Sequence, residues 1–174
     1  MQGFNSEVVE QTLRTNYYGT LEATTEMLPL LRKGGRMVNI ASMAGHLNKY
    51  SDVVRDDFLK AADSDIAAVT AIMQRFQNAT DAGRVEAEGF PKAAYCVSKA
   101  GEIGFTKVIA REEESRNNGI LVNSCCPGFV STNMTKHRGG KTPDQGAKTP
   151  VMLALQDLGG RTGEFWQNEK VQKW

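Results

Sequence analysis

Tyr95 and Lys99 stand four residues apart in the run Tyr95-Cys96-Val97-Ser98-Lys99. On a helix that spacing puts the phenol and the ammonium on one face. A free phenol ionises near pH ~10, too high for useful proton exchange near neutrality. A neighbouring cation favours the ionised phenol and brings proton transfer towards the working range. Alone the pair is weak, because Tyr and Lys fall four apart on many exposed helix faces. Three other segments strengthen it. Ser42 closes the apolar run 36–41, Asn16 lies within Thr15-Asn16-Tyr17-Tyr18-Gly19-Thr20, and Pro127-Gly128-Phe129-Val130-Ser131-Thr132 follows the apolar run 120–126. Each has a plain structural reading in isolation: a strand-end serine, a satisfied helix amide, an ordinary turn. Their ordered co-occurrence points to chemistry.

The elements that must position these groups follow from periodicity. Residues 5–31 read as a helix capped by Asn5 or Ser6, with Glu7 and Glu10 in its first turn and Val9, Leu13, Tyr17, Leu21 and Leu28 near helical spacing. Pro29 weakens its far end and Gly34-Gly35 stops it. The runs 36–41 and 120–126 are short and apolar, and predict strands buried on both faces. Between them, 43–90 reads as a helical excursion with helices over 52–62 and 65–79, the second capped by Asp63 or Ser64. Pro91 opens a helix running to 116, where Val97, Gly101, Gly104 and Val108 form one stripe and the glycines let a neighbour approach. A short helix over 149–158 and a third strand over 162–166 complete the chain. Helix and strand alternating in this way imply an α/β fold with a parallel sheet and crossover helices. Ser42 then sits at the carboxyl end of a strand, where open parallel sheets place ligands.

With 174 residues, 40% of them hydrophobic, the chain can build one core, and no internal repeat or second domain is visible. Its 21 basic and 20 acidic residues form no long run of one sign, which argues against a nucleic-acid or polybasic membrane site. No stretch approaches the ~20 apolar residues of a spanning helix. The polar, acidic opening over residues 1–10 is unlike a secretory or transit signal. An odd set of three cysteines (Cys96, Cys125, Cys126) then implies reduced thiols in the cytoplasm. Cys125 and Cys126 should face opposite sides of a strand as packing residues. His46 and His137 lie far apart, so metal chemistry is not expected. Glu112-Glu113-Glu114 reads as a solvated helix face, and Phe129 and Trp166 as pocket or core residues.

With Asn16, Ser42, Tyr95 and Lys99 in this order and a Pro-Gly loop downstream, the sequence resembles the short-chain dehydrogenase/reductase family. Its active site is an Asn–Ser–Tyr–Lys tetrad on a Rossmann-like doubly wound sheet. The long Ser42–Tyr95 interval narrows the likeness to monomeric carbonyl reductases, which insert a helical segment there. The words TNYYGT, GGRMVNIAS, ILVNSCCPGFVSTNM and KTPDQGAKTPVMLAL extend the resemblance over residues 6–174. The insertion disfavours other members such as sugar epimerases.

The resemblance implies roles. Tyr95 donates a proton to a substrate carbonyl as hydride arrives from NADPH, with NAD left open. Ser42 hydrogen-bonds the same oxygen, Lys99 assists Tyr95 and holds the nicotinamide ribose, and Asn16 holds a water for proton resupply. Pro127, Gly128, Val130 and Thr132 embrace the nicotinamide end, while Ser42, Met43 and Phe129 meet the aldehyde, ketone or quinone. The full-length form is expected to be monomeric, with no nucleic-acid or membrane partner.

The family also opens with a strand and a TGxxxGxG turn that holds the cofactor pyrophosphate on a helix N-terminus. No such motif occurs in the 174 residues, nor does the family's Asn-Asn-Ala-Gly segment. The chain therefore reads as a single partial Rossmann-like domain over 1–174, without the N-terminal dinucleotide-binding half. As such it is expected to be a fragment of a reductase with little activity alone. The rival reading is a non-catalytic, reductase-derived interaction module or pseudoenzyme.

Overall fold

The computed structural model describes residues 3–174; Met1 and Gln2, which start the polar opening, lie outside the described residues. Asn5 caps the first helix, its side-chain oxygen accepting from the Val8 amide at 2.9 Å. That helix is not uniform. α1 (Ser6–Thr12) widens into a π-helical turn over Leu13–Tyr18, continues as α2 (Gly19–Met27) and tightens into a 3₁₀ turn over Leu28–Leu30. A search for 3.6-residue periodicity sees one helix over 5–31, because the apolar spacing hardly changes across the wide turn.

β1 (Arg36–Ile40) and β2 (Leu121–Cys126) pair in parallel, with Arg36 opposite Leu121 and Ile40 opposite Cys125. β3 (Phe165–Gln167) adds to β2 in parallel, and β4 (Lys170–Gln172) returns antiparallel, giving the order β1-β2-β3-β4. The third strand thus starts later than the expected 162–166. Thr162 reaches β2 through its hydroxyl, which accepts from the Val122 amide at 3.0 Å, so the ladder begins only beyond it. β4 was not expected from the sequence. Its hairpin turn uses Asn168 and Glu169, both at positive φ (51° and 58°), without the glycine that usually signals such turns.

Between β1 and β2 lie 3₁₀ turns over Met43–Gly45 and Leu47–Lys49, then α3 (Asp52–Ala62), α4 (Ile66–Asp81) and α5 (Ala94–Ser115). α4 is capped by Asp65, which accepts from the Ala68 amide at 2.7 Å, rather than by Asp63 or Ser64. Pro91 precedes α5 instead of opening it, because the Ala93 amide closes a tight turn on the Pro91 carbonyl at 2.7 Å. α6 (Pro143–Leu155) begins six residues before the expected start of the 149–158 helix. Thr142 and Gln145 form a reciprocal capping box there, and Pro150 is tolerated inside the helix.

α5 runs across one face of β2, with the first helix and α3–α4 packed around it, while α6 covers the other face of β1 and β2. The expected glycine stripe is the seam: Gly101 meets Tyr17 and Met73, and Gly104 meets Val69 and Trp174. Cys126 joins Ala41, Ile103 and Phe165 on the α5 side, and Cys125 joins Leu153, Leu158 and Trp166 on the α6 side. Trp166 is thus a core residue. Glu113 departs from the solvated reading of Glu112-Glu113-Glu114: it is buried and accepts from Arg116 at 2.5 Å and Asn118 at 2.7 Å.

Candidate active site

The chain leaves β1 through buried Ala41, and Ser42 caps the Met43–Gly45 turn, its Oγ accepting from the Ala44 amide at 3.1 Å. Accepting there leaves the hydroxyl proton free to be donated elsewhere. Gly45 fixes where this turn lies. A Cβ at Gly45 would stand 2.6 Å from the Lys99 carbonyl carbon and 2.7 Å from the Ala100 nitrogen. Only a residue without a side chain lets the Ser42 turn press flat on α5 at that level.

On α5, Lys99 Nζ donates to the Ile40 carbonyl at 2.9 Å, at the very tip of β1, and to Glu102 at 2.9 Å. The ammonium lies 5.7 Å from the centre of the Tyr95 ring. The lysine is mostly enclosed, while Tyr95 is 47% exposed, so the phenol opens to solvent with its cation behind it. Glu102 is fully buried. Burial pushes its carboxyl up to about 7, against the opposing pull of Lys99.

Asn16 comes from the π-helical turn and donates to Ser98 Oγ at 3.0 Å; Ser98 in turn donates to the Tyr95 carbonyl at 2.9 Å. The turn is thereby tied to the start of α5. Deeper in, Asn39 of β1 accepts from Thr24 at 3.0 Å and donates to Thr106 at 3.0 Å, locking strand to helices. Tyr17, beside Asn16, is buried against Gly101 and Phe105 and pairs with Thr70 at 2.8 Å. Burial pushes its phenol up to about 12, so it stays protonated.

The 127–132 loop leaves β2 directly beside the end of β1. Gly128 donates its amide to Cys126 Sγ at 3.3 Å, and Lys141 Nζ donates to the Pro127 carbonyl at 3.3 Å and to Asn168 at 2.7 Å. Val130 turns inward: its side chain abuts Gly146, and its backbone bridges Lys141. The Thr132 amide donates to Thr135 Oγ1 at 3.0 Å. Phe129 stands exposed, whereas Met43 packs on the Ala41–Cys126 cluster. Asn16, Ser42, Tyr95 and Lys99 therefore gather around the start of α5, with the Pro-Gly loop on the adjoining strand. Ser98 and Glu102 also belong to this assembly, although spacing along the chain assigns them no role. The signal for Glu102 was a carboxylate set among Ala100, Gly101, Ile103 and Gly104.

This constellation, an exposed phenol backed by an enclosed ammonium at the tip of a parallel sheet, suits proton transfer to a bound oxygen. A family profile described as short chain dehydrogenase matches residues 79–142. Over 171 residues the chain is 39% identical to carbonyl reductase (NADPH) 1 of Oryctolagus cuniculus and 36% identical to that of Homo sapiens, in each case covering 95% of this chain and 61% of the relative. The chain is thus similar to short-chain dehydrogenases. The relatives it matches over most of its length are carbonyl reductases. Among solved structures it is similar to salutaridine reductase from Papaver somniferum, with a TM-score of 0.84 and 28% identity over 93% of this chain and 55% of that one. The chain thus spans about three-fifths of the length of the reductases it matches in sequence. No helix among the described residues is long and apolar enough to cross a membrane.

Proposed function

We propose that this chain carries the proton-transfer site of an NADPH-dependent carbonyl reductase acting on an aldehyde, ketone or quinone. The carrying observation is the Lys99 ammonium, fastened to the Ile40 carbonyl at 2.9 Å directly behind the half-exposed Tyr95. Tyr95 gives its proton to the substrate oxygen, and the Ser42 hydroxyl donates a hydrogen bond to the same oxygen as negative charge grows there. Asn16, through Ser98, steadies the α5 turn that bears Tyr95 and holds the water that returns protons to Lys99. Phe129, Met43 and Ser42 line the approach.

The residues fit the cofactor. An ammonium has three protons, and Lys99 spends two on Ile40 and Glu102, which leaves one for a ribose hydroxyl. Tyr95, Lys99, Pro127, Gly128, Val130 and Thr132 would hold the nicotinamide end, which supplies hydride when bound. The names of the carbonyl reductases favour NADPH over NAD. A cytoplasmic, monomeric protein is proposed with it, since α3 and α4 already cover α5. In a full-length version, Tyr95→Phe is expected to abolish reduction of an activated quinone while leaving NADPH binding in place. Turnover retained in that variant refutes the assignment.

A second reading has its own support, since no TGxxxGxG turn occurs in the 174 residues. In that reading the chain is a fragment with little activity, or a non-catalytic module. Titration of NADPH fluorescence separates the two: saturable binding to this chain excludes the module.

A further inference from the structure

The proton-transfer reading leaves one titratable group of the site without a task. Glu102 is completely buried one helical turn beyond Lys99, with both carboxylate oxygens within 2.9 Å of the ammonium. One of them, Oε1, makes no well-directed hydrogen bond at all. A buried carboxylate is costly, and a helix core of Ala100, Gly101, Ile103 and Gly104 would be packed more cheaply by an apolar side chain. Its placement has a consequence only for Lys99.

We propose that Glu102 is a positioning residue that sets how much of the Lys99 charge acts on Tyr95. The carboxylate and the Ile40 carbonyl each hold the ammonium at 2.9 Å, while the centre of the Tyr95 ring lies 5.7 Å from it. While ionised, Glu102 also offsets much of that positive charge. Its carboxyl is pushed up to about 7 by burial, so the offset is present above neutrality and fades below it. Lys99 is the charged group that acts on Glu102. The hydrogen-bonded side chains on neighbouring stretches of β1, the π-helical turn, α2 and α5 are neutral: Asn39, Asn16, protonated Tyr17, Thr24, Ser98 and Thr106. Among the described residues, Glu102 is the charged group in contact with the Lys99 ammonium.

This inference rests on Tyr95 as the proton donor, yet it can be tested without turnover. Tyrosinate absorbance is followed in a pH titration of the chain, and Tyr95→Phe identifies the transition that belongs to Tyr95. Burial delays ionisation of Tyr17 and Tyr50, and Tyr18 is raised as well. In Glu102→Gln that transition is expected to move about one pH unit lower, because the uncompensated cation favours phenolate. In a Lys99→Met background the same substitution is expected to move it by less than about a third of that. No movement in Glu102→Gln, or equal movement with and without Lys99, overturns the inference. Should Glu102→Gln fail to fold, Glu102→Asp draws the charge back from Lys99 and is read the same way: a lower transition supports the inference, an unmoved one overturns it. Failure of the proton-donor reading shows separately, as turnover surviving in Tyr95→Phe.

Discussion

Replacing Gly45 with alanine tests whether the Ser42 turn is held in place by backbone contact with α5. The added Cβ would lie 2.6 Å from the Lys99 carbonyl carbon, where ordinary contact begins at 3.4 Å. The turn must therefore retreat by roughly 0.8 Å, because the opposing atoms are helix backbone and cannot swing aside. Overpacking of this kind costs about 1–3 kcal/mol of stability. It also carries Ser42 away from the Tyr95–Lys99 pair by most of an ångström, a misplacement worth about 100-fold in kcat/KM. Urea denaturation followed by tryptophan fluorescence reads the first effect, and quinone reduction by a full-length version reads the second. Gly140→Ala is the control, since nothing lies within 4 Å of its Cβ, and it should stay within about 0.5 kcal/mol of the parent. Gly45→Ala with an unchanged denaturation midpoint and unchanged turnover would refute the reasoning.

Glu102 also gives stability a pH dependence of definite sign. Its carboxyl sits at about 7 in the folded chain against an ordinary 4.5, so the folded state binds the proton more tightly than the unfolded one. This contribution is full below pH ~4.5 and is lost as pH rises through about 7, a change on the order of 3 kcal/mol. Urea titrations between pH 5 and pH 8 should show that decline in the parent and a flatter profile in Glu102→Gln; equal slopes contradict it. The cysteines make a simpler case. Cys125 is buried and its thiol is pushed up to about 12, and Cys126 is buried too, whereas Cys96 is half-exposed beside Lys49. Iodoacetamide should label Cys96 alone in the native chain, and early labelling of Cys125 would show that β2 is not packed as described.

How far residue patterns reveal this protein depends on whether the deciding contacts are local. α3 was legible residue for residue, because its apolar positions and flanking polar residues all lie within 52–62. β1 and β2 were legible to within a residue for the same reason. α6 starts earlier than the 149–158 reading because the Thr142–Gln145 capping box opens it inside a stretch whose Gly, Lys and Thr content reads as loop. β4 escaped notice because Asn168-Glu169 turns without glycine, supported by pairing that only the folded sheet supplies. Within the site, the tetrad residue types were visible in order, but the means of holding them were not. Gly45 matters through Lys99, Asn16 through Ser98, and Lys99 through Ile40, each a contact between distant segments. Spacing along the chain cannot report such contacts.

The widened turn at Leu13–Tyr18 solves a geometric problem for the helix that contains it. Residues repeating every four positions drift around an α-helix by roughly 40° per step, since four residues overshoot a 3.6-residue turn. Val9, Leu13 and Tyr17 repeat at that interval, and all three are buried. Left as uniform α-helix, the row would spiral away from α5 before reaching Thr24 and Leu28, which are buried farther along. One turn of larger circumference takes up the accumulated rotation, as a leap day realigns a calendar. The row stays buried from Val9 to Leu28, and Asn16, sitting in the corrected turn, meets Ser98.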